Sequence, residues 1–151
     1  MNSQEERLGF LVTDVARLMR QIFAQRIDGD SLTLAQARAL VQIAREEGLR
    51  QVELAERLDV QPITLARVLD QLEAEGLVER RADAADRRAY LLFLRPAAEA
   101  HLADIRQLGE ALQSHALRGL DAAQIEVLYS VLHVMRSNLA QLRHQQKDDA
   151  S

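Results

Sequence analysis

The sequence predicts a mainly α fold interrupted by one small β-hairpin, and three observations carry that prediction. Apolar residues recur at three- and four-residue intervals along nearly the whole chain, the period of an amphipathic helix. The composition agrees: 3% aromatic residues and two prolines stand against abundant Ala, Leu, Arg, Glu and Gln, which favours helices. The exception lies between residues 77 and 94, where the period falls to about two.

The elements follow in order. Leu8, Leu11, Val15, Leu18 and Ile22, widened by Val12, Met19 and Phe23, mark a helix over about 4–27, closed by Asp28-Gly29-Asp30. Thr33 and Gln36 have capping-box spacing, and Ala37, Leu40, Val41 and Ala44 carry a second helix that stops near Gly48. A short third helix spans about 51–58. Pro62 sits where a first-turn proline belongs, and Leu65, Val68, Leu69 and Leu72 carry a fourth helix to Gly76. Residues 77–81 and 89–94 then read as two strands of a hairpin. Pro96 opens a long helix through Leu102, Ile105, Leu108 and Leu112, which frays at Arg118-Gly119. A second capping box, Asp121 with Gln124, starts the last helix, where Ile125, Leu128, Leu132, Met135, Leu139 and Leu142 form a heptad seam.

At 151 residues and 48% hydrophobic content the chain can bury one substantial core, so a single domain over 1–145 is expected, with residues 146–151 as a disordered tail. There is no apolar run long enough for a membrane span, and MNSQEERLGF lacks the pattern of a signal peptide. The absence of cysteine excludes disulfides, thiolate metal sites and cysteine redox sensing. A soluble, cytoplasmic protein is the simplest reading. The stripes at Leu8 to Ile22 and Ile125 to Leu142 offer more apolar surface than one small lobe can cover, which predicts a homodimer.

Chemistry concentrates in the middle of the chain. In LAERLDVQPITLARVLDQL, Leu54, Ala55 and Leu58 face Leu65, Val68 and Leu69 across a very short turn, the spacing of a helix-turn-helix. Asp59 stands in the turn where glycine is common; aspartate tolerates the left-handed conformation better than most residues. An ordinary helical hairpin would share this spacing. The second helix, however, presents Gln61, Thr64, Arg67 and Gln71 at helical intervals, side chains of the kind that reach base edges and phosphates. A hairpin directly after such a unit is a wing. Residues 80–95 hold five arginines against Asp83 and Asp86, a surplus of +3 in a chain of net charge -4, so positive charge is focused where a polyanion would approach.

VQPITLARVLDQLEAEGLVER (60–80) and ADAADRRAYLLFL (82–94) resemble the MarR regulators, and within them the SlyA-like branch; with the flanking helices the resemblance covers nearly the whole chain. It implies a winged helix-turn-helix lobe over about 33–95 and dimerisation helices over about 4–27 and 97–145. Its implied partners are double-stranded DNA at a palindromic operator, a second copy of the chain and, often, a small aromatic, phenolic or carboxylate effector. Carried over residue by residue, Thr64 and Arg67 match positions that enter the major groove. Arg88 matches the wing arginine of the minor groove, with Asp86 holding it. Arg87, Arg80 and Gln51 match phosphate-side or supporting positions. One departure is Arg95, before Pro96, where the family usually has threonine; arginine cannot accept the capping hydrogen bond. The resemblance therefore implies a cytoplasmic repressor or anti-repressor without cofactor, metal or catalytic residues. Its ligand site is not legible, although Arg17 and His101 lie near the expected cleft.

Two other classes compete. An enzyme would need a glycine-rich phosphate loop, a nucleophile in context or clustered ligands, yet His101, His115, His133 and His144 are scattered, and Glu46-Glu47 read as solvated helix positions. A helical dimeric adaptor could use the terminal stripes. It would have no need of the polar recognition face or the basic wing.

Overall fold

The computed structural model describes residues 7–27 and 32–149. Its elements are α1 (Leu8–Ile27), α2 (Leu34–Arg45), β1 (Leu49–Arg50), α3 (Gln51–Leu58), α4 (Pro62–Ala74), β2 (Val78–Ala82), β3 (Tyr90–Leu94), α5 (Ala98–Ala116) and α6 (Ala122–Asp149). The Asp28-Gly29-Asp30 stop lies outside the described residues. The mainly helical prediction with a hairpin holds, and both capping boxes form. Thr33 Oγ1 accepts from the Gln36 amide at 3.2 Å while Gln36 Oε1 accepts from the Thr33 amide at 2.8 Å. At α6, Asp121 Oδ1 accepts from the Gln124 amide at 2.8 Å, and Gln124 Oε1 accepts in return at 2.9 Å. Each exchange satisfies donors that a helix start leaves open.

The chain divides into two compact units, one running to Leu112 and one from Gln113. In the first, a core of Leu40, Ile43, Leu49, Leu54, Leu65, Leu69, Leu72, Val78 and Leu92 is fully buried. It draws on α2, α3, α4 and all three strands, so the helix-turn-helix and the wing share one apolar anchor. The helix-turn-helix closes on Asp59, whose φ of 53° is the left-handed value that the turn demands. Its amide bonds to the Glu56 carbonyl at 3.2 Å, and the Val60 amide to the Ala55 carbonyl at 3.1 Å.

The sheet has a strand that periodicity did not reveal. β3 lies between β2 and β1, antiparallel to both, with Leu49 opposite Leu92 and Val78 opposite Leu94. Two residues are too few to show an alternation; β1 exists because β3 offers a free edge, and Gly48 donates to the Leu92 carbonyl at 2.8 Å. Gly48 has φ +82°, the left-handed region that favours glycine.

The second unit contains the end of α5 and α6, and α6 buries none of its residues within the chain. Two expectations shift here. The helix continues to Asp149, four residues into the segment expected to be disordered, because Gln145, Gln146 and Lys147 are good helix formers and no glycine or proline intervenes. At the other junction α5 starts at Ala98, after a turn at Pro96-Ala97, rather than at the proline. That junction is held by backbone: Arg95 donates to the Leu77 carbonyl at 2.9 Å, and Ala98 to the Arg95 carbonyl at 2.9 Å. The missing threonine cap does not leave it open.

Candidate nucleic-acid interface

The face formed by α4 and the β2–β3 loop carries most of the residues singled out in the sequence. Gln61 at the N-cap and Thr64, Arg67 and Gln71 on α4 are exposed, as are Asp86, Arg87 and Arg88 on the loop. Pro62 occupies the first turn of α4, and Gln61 makes no side-chain cap, so the helix start is left uncovered. Arg67, Arg87 and Arg88 form no side-chain hydrogen bond or ion pair among the described residues. Three guanidinium groups on one lobe are thus left for an external acceptor.

Other charged residues are committed internally. Arg80, offered by the resemblance as a phosphate-side or supporting residue, is bonded within the lobe. From β2 it reaches back to α4, bonding to Asp70 and, through Nε, to Glu73 at 3.2 Å, while its amide donates to Glu73 as well. Its side chain is only 18% exposed. The carboxylates lie one helical turn apart on α4, so a single arginine spans both and ties the wing to the recognition helix. Asp86 also works differently from the expected clamp: its Oδ1 accepts from the Arg88 backbone amide at 3.0 Å and does not pair with the guanidinium. It shapes the turn on which Arg88 is displayed. Gln71 accepts from the buried Gln36 at 3.4 Å, linking α4 to α2. Gln51 is half-buried, with its Oε1 inside the lobe and without a partner among the described residues, which fits support better than phosphate contact.

Some functional positions were missed. Arg50 pairs with Asp83 at 2.9 Å and anchors the wing loop to the start of α3; Asp83 retains 12% exposure. No sequence signal links residues thirty-three apart. Glu46 and Glu47, expected to be merely solvated, bind Arg57 at 2.6 Å and the Leu94 amide at 2.8 Å, respectively. They lie past the end of α2, where a carboxylate reaches a strand's free N–H. Arg81 stacks over Phe93, 4.0 Å from the ring centroid, and its hydrogen bond holds the Glu79 carboxyl below the usual carboxylate range.

Separately, an apolar cavity of about 650 Å³ lies among α1, α2, the end of α3 and α5. Met19, Phe23, Val41 and Leu102 line it, with Arg20, Arg38, Arg45, Arg57 and Arg106 and no acidic side chain among the described residues. His101 lines a different cavity of about 490 Å³ with Arg26 and Asp104. Arg17 lines neither and pairs with Asp14 on α1.

A helix-turn-helix tied to a basic hairpin defines the winged helix-turn-helix class. The MarR family model matches residues 32–90, the region of that lobe. The solved structure of MarR is 26% identical, covering 96% of this chain and 98% of its own, with a TM-score of 0.86. The transcriptional regulator PA3341 is 34% identical over 89% of this chain and 99% of its own, with a TM-score of 0.78. A MarR family regulator from Listeria monocytogenes complexed with 26mer DNA is 24% identical over 90% of this chain and 91% of its own, with a TM-score of 0.79. This chain belongs to the MarR family.

The Arg80 bridge has a checkable consequence. Arg80→Ala is expected to cost the lobe about 1 kcal/mol at most, because its acidic partners are exposed. It should also lower the ratio of specific to nonspecific DNA affinity. Asp70→Asn with Glu73→Gln should lower the same ratio, although it removes negative charge. A phosphate-contacting Arg80 requires the reverse, a raised ratio once its competitors are gone. Fluorescence anisotropy on operator and random duplexes, with urea unfolding as the control, separates the two.

Proposed function

We propose that the chain is a cytoplasmic, homodimeric transcriptional regulator of the SlyA-like branch, a repressor or anti-repressor that acts by binding DNA and carries no catalysis of its own. Helix α4 enters the major groove and the β2–β3 wing the adjacent minor groove of a palindromic operator. Thr64 and Arg67 read bases, Arg88 occupies the minor groove, and Arg87 meets phosphate. The observation that carries this reading is the contrast among arginines. Arg50, Arg57, Arg80 and Arg81 are spent on internal carboxylates, whereas Arg67, Arg87 and Arg88 are held out on one rigid lobe without partners among the described residues. The DNA complex of the Listeria protein supports it by likeness of fold.

Dimerisation rests on α1 and the 97–145 segment. Leu8, Leu11, Val15 and Leu18 on α1, and Leu132, Leu139 and Leu142 on α6, are exposed in the single chain, so a partner copy is the economical cover. The 650 Å³ cavity suits a small apolar anion such as a phenolic or carboxylate effector, since apolar walls supply burial and arginines supply charge. No helix among the described residues is long and apolar enough to cross a membrane.

Selection from random duplex DNA followed by sedimentation and anisotropy tests the proposal. The expected product is an inverted repeat with half-site centres about 10 base pairs apart, or a multiple, bound by a dimer. Affinity should fall steeply with salt, by about 0.9 log units per log unit of salt for each phosphate neutralised. A monomer binding the palindrome at full strength overturns the dimer. A failure to enrich any sequence, or an affinity indifferent to salt, would leave the adaptor reading in its place.

A further inference from the structure

Ile63 is not explained by any role described so far. It is 64% exposed in the first turn of α4, although isoleucine is among the residues most often buried. It lies one turn before Arg67 and adjacent to Thr64, so all three share the face offered to DNA. Core packing does not account for it, because the inward positions of α4 are filled by Leu65, Leu69 and Leu72. Pro62 immediately before it has no backbone donor, so Pro62 and Ile63 form an apolar corner between the polar side chains of Gln61 and Thr64.

We propose that Ile63 is a specificity-determining residue that reads thymine by packing against its C5-methyl group, beside the base pair read by Arg67. The inference rests on the placement of α4 in the major groove. There, the thymine methyl is the one apolar feature distinguishing the base pairs, and residues at the N-terminal end of a recognition helix are those that approach base edges. A branched aliphatic side chain, rigid at χ1, matches a methyl group without leaving a polar atom unpaired. The first turn would therefore divide its labour: Ile63 selects by shape and apolar contact, Arg67 by hydrogen bonds.

Replacing thymine by deoxyuridine deletes only the methyl group, so the test needs no disruptive variant. In the selected operator, thymines are exchanged one symmetric pair at a time, and affinity is measured for the wild-type dimer, Ile63→Ala and Ile63→Val. One pair is expected at which demethylation weakens wild type by roughly threefold to fivefold per half-site, the size of one methyl group returned to water. At that pair Ile63→Ala should be indifferent to uracil, while Ile63→Val keeps most of the response. Equal responses of wild type and Ile63→Ala at every thymine, or a half-site without thymine, overturns the proposal. Arg67→Ala, measured beside them, keeps the two readings apart. If it discriminates poorly while Ile63 shows no coupling, only the methyl contact is wrong; if it matches wild type on every duplex, the major-groove placement itself fails.

Discussion

Arg67→Ala is expected to lose about 1 to 3 kcal/mol of base discrimination per half-site, the value of a bidentate arginine contact, and to lose it at one symmetric pair of operator positions. Arg88→Ala should fail differently. A wing arginine in the minor groove senses width and negative potential, so its loss should track A·T content beside the half-sites more than any single guanine. Both side chains are exposed and neither has a partner among the described residues, so circular dichroism and sedimentation should match wild type. Binding across a panel of operator variants decides the matter. Either variant behaving as wild type on every duplex removes that residue from the interface, and either one unfolding contradicts its exposed position.

Leu69→Ala addresses the other side of the same helix. Leu69 is fully buried in the core shared by the helix-turn-helix and the sheet. Truncation there should cost about 2 to 5 kcal/mol, combining lost transfer energy with the cavity left behind. Against a total stability of about 5 to 15 kcal/mol, that is enough to melt the DNA-binding lobe well below the wild-type temperature. Thermal unfolding at fixed protein concentration measures it, since the proposed dimerisation would make the midpoint concentration-dependent. DNA binding should vanish with the fold at the variant's lower midpoint and persist below it. A Leu69→Ala protein with an unchanged midpoint contradicts the burial of this position.

Arg67 and Leu69, exposed and buried on the same α4, show how a single helix divides into what holds it and what it presents. Its inward leucines fix α4 on the core, and the Arg80 bridge to Asp70 and Glu73 fixes the wing to α4. The exposed residues then inherit a geometry that they do not themselves maintain. That is the arrangement a binding site needs when its contacts must be preorganised without being consumed by internal pairing.

Much of this was legible in the residues alone, and the legible part has a common cause: it depends on contacts within a few positions of the chain. Helical periods, both capping boxes, the first-turn proline, the left-handed Asp59 and the change of period at the hairpin are local, and each appears where expected. The exposed recognition face is local too, because Thr64 and Arg67 are placed by helical spacing once the leucine stripe is known. What only tertiary structure decided is which charges are free. Arg50 finds Asp83, Arg80 finds Asp70 and Glu73, and Glu47 finds the Leu94 amide across a gap of forty-seven residues. In the sequence those arginines look the same as Arg87 and Arg88. A guanidinium's partner is whatever carboxylate the fold brings within hydrogen-bond reach, so charge composition could locate the basic wing but could not tell its internally paired arginines from those left exposed.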